Sequence, residues 1–167
     1  QVSYGLESGD QAILDEMDKR ITVAQIREVS AMTREEGMLV AVPAMFGLPG
    51  ETRESLRKTV ELIIATTSWH DRRTLRPMQP YPGCQYFTDC VAQGLLKDED
   101  DFYSRYFSSE SFTVNLTALS DREFNEALYE ANARLLEEHY RHALDADLAS
   151  YRKIYFEHDA RGFVPMR

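Results

Sequence analysis

The feature that most constrains the fold is an uninterrupted apolar run that leads directly into a tight turn and a helix start. Residues 38–46 carry no polar side chain, and the chain then turns through the Gly-Leu-Pro-Gly sequence at 47–50. Such a run predicts a strand that is buried on both faces, as in a parallel sheet. Thr52 follows the turn and is expected to cap a helix, because a threonine hydroxyl accepts a free backbone amide.

The first hundred residues alternate between strand-like and helix-like patterns. Strands are predicted at residues 2–7, 38–46 and 74–79, and each is followed by a segment with helical periodicity. Thr22 and Gln25 have the spacing of a capping box at the start of one of these helices. Strands that alternate with helices predict parallel neighbouring strands with the helices packed outside them.

The pattern changes after Gly94. The segment that follows contains an acidic run at 97–101, which is predicted to be a solvated loop. It continues with Tyr103, Tyr106 and Phe107, which could cap the mouth of a barrel near a substrate but are favoured to form a small satellite core. A second capping box, Ser120 with Glu123, opens a long helical region. We therefore predict a βα region at residues 1–96, a linker at 97–119 and a helical extension at 120–167.

Composition and charge limit the classes of partner. The 167 residues carry 28 acidic and 19 basic side chains, and the net charge of −9 disfavours nucleic acid or an anionic membrane as the main partner. No apolar run is long enough to cross a bilayer. The two cysteines, Cys84 and Cys90, do not make a disulfide framework, so a reducing, cytoplasmic setting is expected.

Three predicted strand ends carry short motifs whose order and spacing resemble one enzyme family. They are YGLESGD at 4–10, FGLPGET at 46–52 and RPMQPYPGC at 76–84. With the longer phrase GLESGDQAILDEMDKRITVAQI, they resemble the second half of the catalytic domain of radical S-adenosylmethionine (SAM) enzymes. The similarity is greatest to iron–sulfur oxidoreductases, which include cobalamin-dependent members and the anaerobic Mg-protoporphyrin monomethyl ester cyclase type. It covers about residues 2–95 and depends on the motifs occurring together.

This resemblance implies a fold and a chemistry. In the family, a partial (β/α)6 barrel holds a [4Fe–4S] cluster on a CxxxCxxC motif, and the reduced cluster cleaves SAM to a radical that abstracts hydrogen. This chain has no CxxxCxxC motif. We therefore expect the last three βα units of a TIM-like barrel and a helical tail, without catalytic residues. The chain would be the C-terminal portion of a longer enzyme, partnered by the N-terminal half and acting on an unknown small substrate, with cobalamin left open as a further cofactor.

The resemblance also suggests which residues contact SAM. Glu7 and Ser8, at the end of the first predicted strand, are expected to bond the ribose hydroxyls or the amino group of SAM, since charge-assisted hydrogen bonds are strong. Lys19 or Arg20 is expected to meet the SAM carboxylate. Each has a plainer interpretation, which is a solvated turn carboxylate for Glu7 and a surface charge at a helix end for the cations.

The two later strand ends complete the expected SAM site. The turn at 47–50 lets the backbone approach the nucleoside, and a plain tight turn is compatible with that role. Gln79 and Tyr81 are expected to lie against adenine, although a core or rim position is the commoner fate of such a tyrosine. The expected cofactor-binding residues are Glu7, Ser8, Arg20, Gly47, Pro49, Gly50, Gln79 and Tyr81, and no metal ligand is expected.

Other functions are compatible with parts of the sequence. The chain could be a degenerate half-barrel that serves as a non-catalytic interaction module, and a CxxxCxxC motif upstream would favour the enzyme instead. The tRNA-modifying methylthiotransferase branch is disfavoured by the negative charge and by a helical tail where that branch has a β-barrel RNA-binding domain. Glu138, His139 and His142 have a spacing that can bind a metal, but an exposed charged helix face is favoured.

A barrel region that begins with the predicted strand at 2–7 has a bare edge. Unpaired strand edges recruit other strands, because their backbone donors and acceptors are free. We therefore expect this edge either to mediate self-association or to be covered by the helical tail.

Overall fold

The computed structural model describes residues 1–70 and 73–156. Helices dominate these residues, and every strand is two residues long. The strands are β1 (Val2–Ser3), β2 (Val40–Ala41), β3 (Met45–Phe46) and β4 (Arg76–Pro77). The helices are α1 (Gln11–Glu16), α2 (Val23–Glu35), α3 (Arg53–Thr66), α4 (Gln85–Ala92), α5 (Glu99–Arg105) and α6 (Asp121–Phe156). Residues 157–167 of the predicted extension, and residues 71 and 72 of a polar loop predicted at 69–73, lie outside the described residues.

The predicted partial barrel is wrong. The described chain is 55% helical and 6% strand, and its strands form two separate two-stranded parallel sheets, β1 with β2 and β3 with β4. Pro43 interrupts the apolar run at 38–46, because proline cannot donate to a strand ladder. Its carbonyl accepts hydrogen bonds from the amides of both Leu6 and Glu7, which breaks the regular register. The run is therefore not one buried strand, and its first two residues are exposed.

The short strands nevertheless run side by side in one direction. In the first sheet, β1 pairs with β2 in parallel, with Val2 opposite Val40, and β3 pairs with β4 in the same sense. A parallel bridge between Glu7 and Ala44 lies between the two sheets along the chain. The three extended segments therefore end at one edge, and the loops that follow them are neighbours.

The main core lies between these segments and helices α2, α3 and α6. The first half of α6 packs against α3, and both helices contribute buried side chains. The rings of Phe46 and Phe124 stack with their centroids 4.8 Å apart, which ties the end of β3 to α6. The buried members of this core are Leu6, Leu14, Ile26, Val40, Val42, Phe46, Leu56, Val60, Leu62, Ile63, Leu75, Phe124, Ala127, Ala131 and Leu135.

A second, smaller core joins α4, α5 and the segment that follows α5. Cys90, Phe102 and Val114 are buried together in it and Tyr106 packs against them, whereas Tyr103 and Phe107, which were also predicted in a satellite core, are exposed. The acidic run after Gly94 is not the predicted loop, because Asp98 caps α5 and the next three acids occupy its first turn. Negative charge is favourable there, since the amino end of a helix dipole is positive.

The long helix does not cover the bare edge of β1. It packs against α3 instead, and within the described residues β1 pairs with β2 alone. The described part of the helical extension, up to residue 156, therefore does not pair with this edge. Self-association through this edge stays a prediction.

The predicted helix starts have their capping interactions. Thr22 and Gln25 form a reciprocal capping box at α2. Ser120 and Glu123 exchange hydrogen bonds in the same way at the start of α6. Thr52 accepts a hydrogen bond from the amide at the third position of α3. The predicted caps at Thr22, Thr52 and Ser120 are therefore confirmed. Each depends on side chains and amides only three residues apart, so residue type and spacing were enough to predict it.

Replacing Thr52 with alanine is expected to lower the free energy of unfolding by about 1 kcal/mol, because the amide of Ser55 then loses its acceptor. The control is Thr52→Ser, which keeps a hydroxyl in the same place and is expected to retain most of the stability. Denaturant titration of both variants measures the difference. Equal losses in the two variants would contradict the capping role.

Candidate functional site

The candidate site lies at the edge where the three extended segments end. The amide of Met78 donates to the carbonyl of Phe46 over 2.8 Å, and Glu7 lies beside Ala44 through the parallel bridge. This pairing brings together three loops, which begin near residues 7, 47 and 78. In proteins with parallel sheets, ligands commonly bind at the carboxyl ends of the strands.

Glu7 is the predicted site residue with the best environment for a polar ligand. Its φ angle of 64° turns the chain out of the strand direction. Its side chain is 22% exposed, and Oε1 lies 3.0 Å from the Nζ atom of Lys19. Both groups lie over Gly5, where an added Cβ would be 3.0 Å from Glu7 Oε1 and 3.6 Å from Lys19 Nζ. The ion pair therefore orients a carboxylate that solvent can still reach.

Lys19, rather than Arg20, is the cation beside Glu7. The guanidinium of Arg20 is exposed and forms two hydrogen bonds with Asp18, at 3.0 and 2.9 Å. Asp18 and Arg20 both have positive φ angles, so the turn after α1 is tight and directs successive side chains apart. Of the two cations considered from the sequence, the structure brings Lys19 to the edge and leaves Arg20 on the surface.

Ser8 and Gly9 lie against α3 rather than in the open part of the edge. Ser8 is fully buried, and its hydroxyl is 3.4 Å from that of Thr59. The amide of Gly9 donates to the Thr59 hydroxyl over 2.7 Å. An added Cβ on Gly9 would lie 2.5 Å from the Cα of Thr59, so the two backbones are in direct contact. This turn fixes the position of Glu7 against the helix.

Glu51 holds the loop that follows β3. Its side chain is 2% exposed, and Oε2 accepts hydrogen bonds from the amides of Gly47 and Leu48, at 2.7 and 2.9 Å. The other carboxylate oxygen is buried without a hydrogen-bond partner among the described residues. Burial raises the pKa of Glu51 to about 7, against the lowering effect of the two amides. The loop is therefore closed by a carboxyl group that titrates near neutrality.

The glycines of this loop differ in what they can offer a ligand. The amide of Gly47 is already used by Glu51, and an added Cβ there would lie 3.1 Å from the ring of Phe124. Because Gly47 has no side chain, Phe124 of α6 can pack closely against the loop. Pro49 is half-buried, whereas Gly50 is exposed with a φ angle of 78°. The open backbone of the loop is at Gly50.

Gln79 and Tyr81 are both engaged by the segment after α5. Gln79 donates to the carbonyl of Ser111 and accepts a hydrogen bond from Thr113. Tyr81 is partly exposed, and its hydroxyl bonds that of Tyr106 in the second core. The side chains of these two residues therefore anchor the third loop to the rest of the chain, and the loop presents mainly its backbone to the edge.

The described residues do not fit a metal cluster. No group of three or more histidine, cysteine or acidic side chains in the described ranges is close enough to hold a metal ion. Cys90 is fully buried in the second core, and burial raises the pKa of its thiol to about 11. Glu138 is tied to Arg134 and Arg141, and His142 stacks on Trp69 with centroids 5.4 Å apart. The carboxylate of Glu138, which would be a ligand in the possible metal-binding pattern on α6, is therefore already paired with two arginines.

Two important residues were missed from the sequence. Glu51 carries no prediction from the sequence, although it precedes the capping residue Thr52, where the helix itself needs no acid. An acid placed between a glycine turn and an N-cap is the signal that could have identified it. Gly9 also carries no prediction of its own, and no local signal predicts its contact with Thr59 of α3, which lies 50 residues away along the chain.

Comparisons with known proteins do not assign the chain to a family. The sequence matches no model of a protein family and no curated protein. The resemblance of its motifs to radical SAM enzymes therefore stays a hypothesis. None of the helices in the described part of the chain has both the length and the hydrophobicity needed to cross a membrane.

Proposed function

We propose that this chain provides the nucleoside-binding side of the SAM site in a radical SAM enzyme that acts on a small molecule. The observation that carries the proposal is Glu7, a partly exposed carboxylate that Lys19 orients at the edge where three parallel segments end. A carboxylate accepts hydrogen bonds from two adjacent hydroxyls, as a ribose offers them. The motif order at the three loops supports the same assignment.

Each loop has a distinct part in this proposal. Glu7 binds the ribose hydroxyls, and Lys19 holds the carboxylate in position and offers positive charge to the carboxylate of the amino acid moiety. The exposed backbone at Gly50 lets the nucleoside approach closely, because glycine has no side chain there. Glu51 holds this loop in one conformation by accepting hydrogen bonds from the amides of Gly47 and Leu48.

The iron–sulfur chemistry is not supplied by the residues of this chain. When bound in such an enzyme, the cluster provides the electron that cleaves SAM, and the donor set for it is not among the described residues. The cofactor-binding residues of this chain act by binding and orienting SAM. The catalytic step depends on cysteine ligands from a part of the enzyme with a CxxxCxxC motif, which these 167 residues lack.

On its own, the chain is expected to bind SAM weakly or not at all, because the iron that chelates the amino acid moiety is absent. Isothermal titration calorimetry of the purified chain with SAM, in buffer free of iron, measures this directly. A dissociation constant near or below about 1 µM, equivalent to roughly 8 kcal/mol, would contradict a site that needs the cluster.

The activity test uses the complete gene product that contains this sequence. After anaerobic reconstitution with iron and sulfide and reduction, it is expected to convert SAM to 5′-deoxyadenosine. Glu7→Gln is expected to weaken SAM binding by about tenfold or more, because the charge-assisted bonds to the ribose are lost. The control is Glu16→Gln, which removes an exposed acid of α1 outside the edge.

A non-catalytic interaction module is the second candidate, and an exposed apolar face on α6 favours it. The two functions are separated by the same experiment. A gene product without the cysteine motif, which forms no cluster and yields no 5′-deoxyadenosine, would exclude the enzyme and leave the interaction module.

A further inference from the structure

The second half of α6 extends beyond the rest of the molecule. Glu138 is its last buried residue, and every residue from 144 to 156 is exposed. At 1.5 Å per residue, this exposed part is about 20 Å long. A helix of this length is only marginally stable in water without tertiary contacts, because its formation depends on packing of an apolar face. The exposed apolar side chains there therefore need an explanation.

These side chains form one stripe along the helix. Leu144, Leu148, Tyr151 and Tyr155 are spaced by four, three and four residues, which is the a and d pattern of a coiled coil. Leu144 and Leu148 are each 57% exposed and Tyr155 is 71% exposed. Leu148, Tyr151, Arg152 and Tyr155, together with Phe156, line an open surface hollow. Residues at this spacing form the hole that receives a knob from a facing helix.

We propose that this stripe, residues 144–155 of α6, pairs with the same stripe of a second copy in an antiparallel coiled coil. In the proposed register, Leu144 lies opposite Tyr155 of the second copy and Leu148 lies opposite Tyr151 of the second copy. The interface is then related by a two-fold axis, so each contact occurs twice. The hollow between Leu148 and Tyr155 receives Leu148 of the second copy.

The charges beside the stripe favour this partner and this direction. Asp145 and Arg152 occupy the same flank, and the antiparallel register brings each next to the opposite charge on the second copy. Asp145 is exposed and lies 3.8 Å from Arg141 of its own helix, so it contacts both arginines in the dimer. Arg152 has no ion-pair partner among the described residues of its own chain. A parallel pair in register would instead place Arg141 at a core position against its own copy, which is unfavourable because like charges repel.

The available area is sufficient for a specific but modest dimer. Five large apolar side chains between residues 144 and 155 are exposed on or beside the stripe: Leu144, Leu148, Tyr151, Ile154 and Tyr155. Covering them in both copies removes on the order of 1,000 Å² from water, near the lower limit for a specific interface. The proposed dimer does not rest on SAM binding, since no residue of the stripe belongs to the candidate site.

The first test is the mass of the full chain in solution. Sedimentation velocity at about 100 µM is expected to show a dimer. Leu148→Asp is expected to raise its dissociation constant by at least tenfold, because two charges then enter the apolar centre. Ser150→Asp, which adds the same charge on the opposite side of the helix, is expected to leave the dimer unchanged. A monomeric wild-type chain, or a dimer that Leu148→Asp does not weaken, would overturn the proposal.

The second test uses charge exchange to identify the direction. Asp145→Arg alone is expected to weaken the dimer about tenfold by placing it against Arg152 of the second copy. The double variant Asp145→Arg, Arg152→Asp restores both ion pairs and is expected to restore dimerisation. In a parallel dimer the double variant would bring Asp147 against the new acid and stay weak, and that result would overturn the antiparallel arrangement. Circular dichroism confirms that the variants remain folded.

Discussion

Replacing Gly9 with alanine is expected to lower the free energy of unfolding by about 3 kcal/mol. The added Cβ would lie 2.5 Å from the Cα of Thr59 and 2.6 Å from the carbonyl oxygen of Lys58. Both are backbone atoms of α3, so no side chain can move aside to relieve the overlap. The variant must therefore separate the turn from the helix, and it also weakens the hydrogen bond from the Gly9 amide to Thr59.

The chain provides a matched control at Gly5. An alanine Cβ there would lie 3.0 Å from Oε1 of Glu7, which is the end of a flexible side chain that can move. Gly5→Ala is therefore expected to change the free energy of unfolding by less than about 1 kcal/mol. Denaturant titration measures both variants. Similar losses for both, or a stable Gly9→Ala variant, would contradict the close contact between the turn and α3.

Local chemistry made much of the secondary structure predictable. The caps at Thr22, Thr52 and Ser120 were identified from residue type and spacing, and the helices begin there. The parallel direction of the extended segments also followed from their alternation with helices. The cap predictions held because each depends on interactions within a few residues.

Long-range contacts decided what could not be predicted. The two hydrogen bonds that the carbonyl of Pro43 accepts split the apolar run into two short strands, and apolar composition alone does not show this. The sequence predicts Ser8 and Gly47 as ligand contacts. In the structure Ser8 is buried against Thr59, and Gly47 lies against the ring of Phe124. These contacts with α3 and α6 join residues far apart in the chain, so the sequence motifs do not predict them.

Between pH 5 and 8, the free energy of unfolding of the wild-type chain is expected to fall by up to about 3 kcal/mol because of Glu51. Its pKa is about 7 in the folded chain and 4.5 when it is not perturbed. Between about pH 4.5 and 7 the unfolded chain releases the proton while the folded chain keeps it, so rising pH favours unfolding until the folded Glu51 also ionises. A difference of roughly 2.5 units corresponds to about 3 kcal/mol.

Glu51→Gln is expected to remove this dependence on pH, since glutamine keeps an acceptor for the amides of Gly47 and Leu48 and cannot ionise. Glu16→Gln, at an exposed position of α1, is expected to leave the dependence intact. The acids with a lowered pKa, such as Asp10 and Glu123, act in the opposite direction, but they titrate below this interval. A pH profile that is the same in Glu51→Gln and the wild type would contradict the assignment.

Glu51→Ala separates the packing role of this carboxyl group from its titration. At pH 5 the variant is expected to lose about 2–4 kcal/mol, because two buried amides are left without an acceptor. At pH 8 the loss is expected to be smaller, since the wild-type chain then bears the burial penalty of an ionised Glu51. The loop between β3 and α3 is thus held most firmly when Glu51 is protonated. If the proposed SAM site is correct, the alanine variant should weaken SAM binding in the complete enzyme although Glu51 is buried beneath the loop.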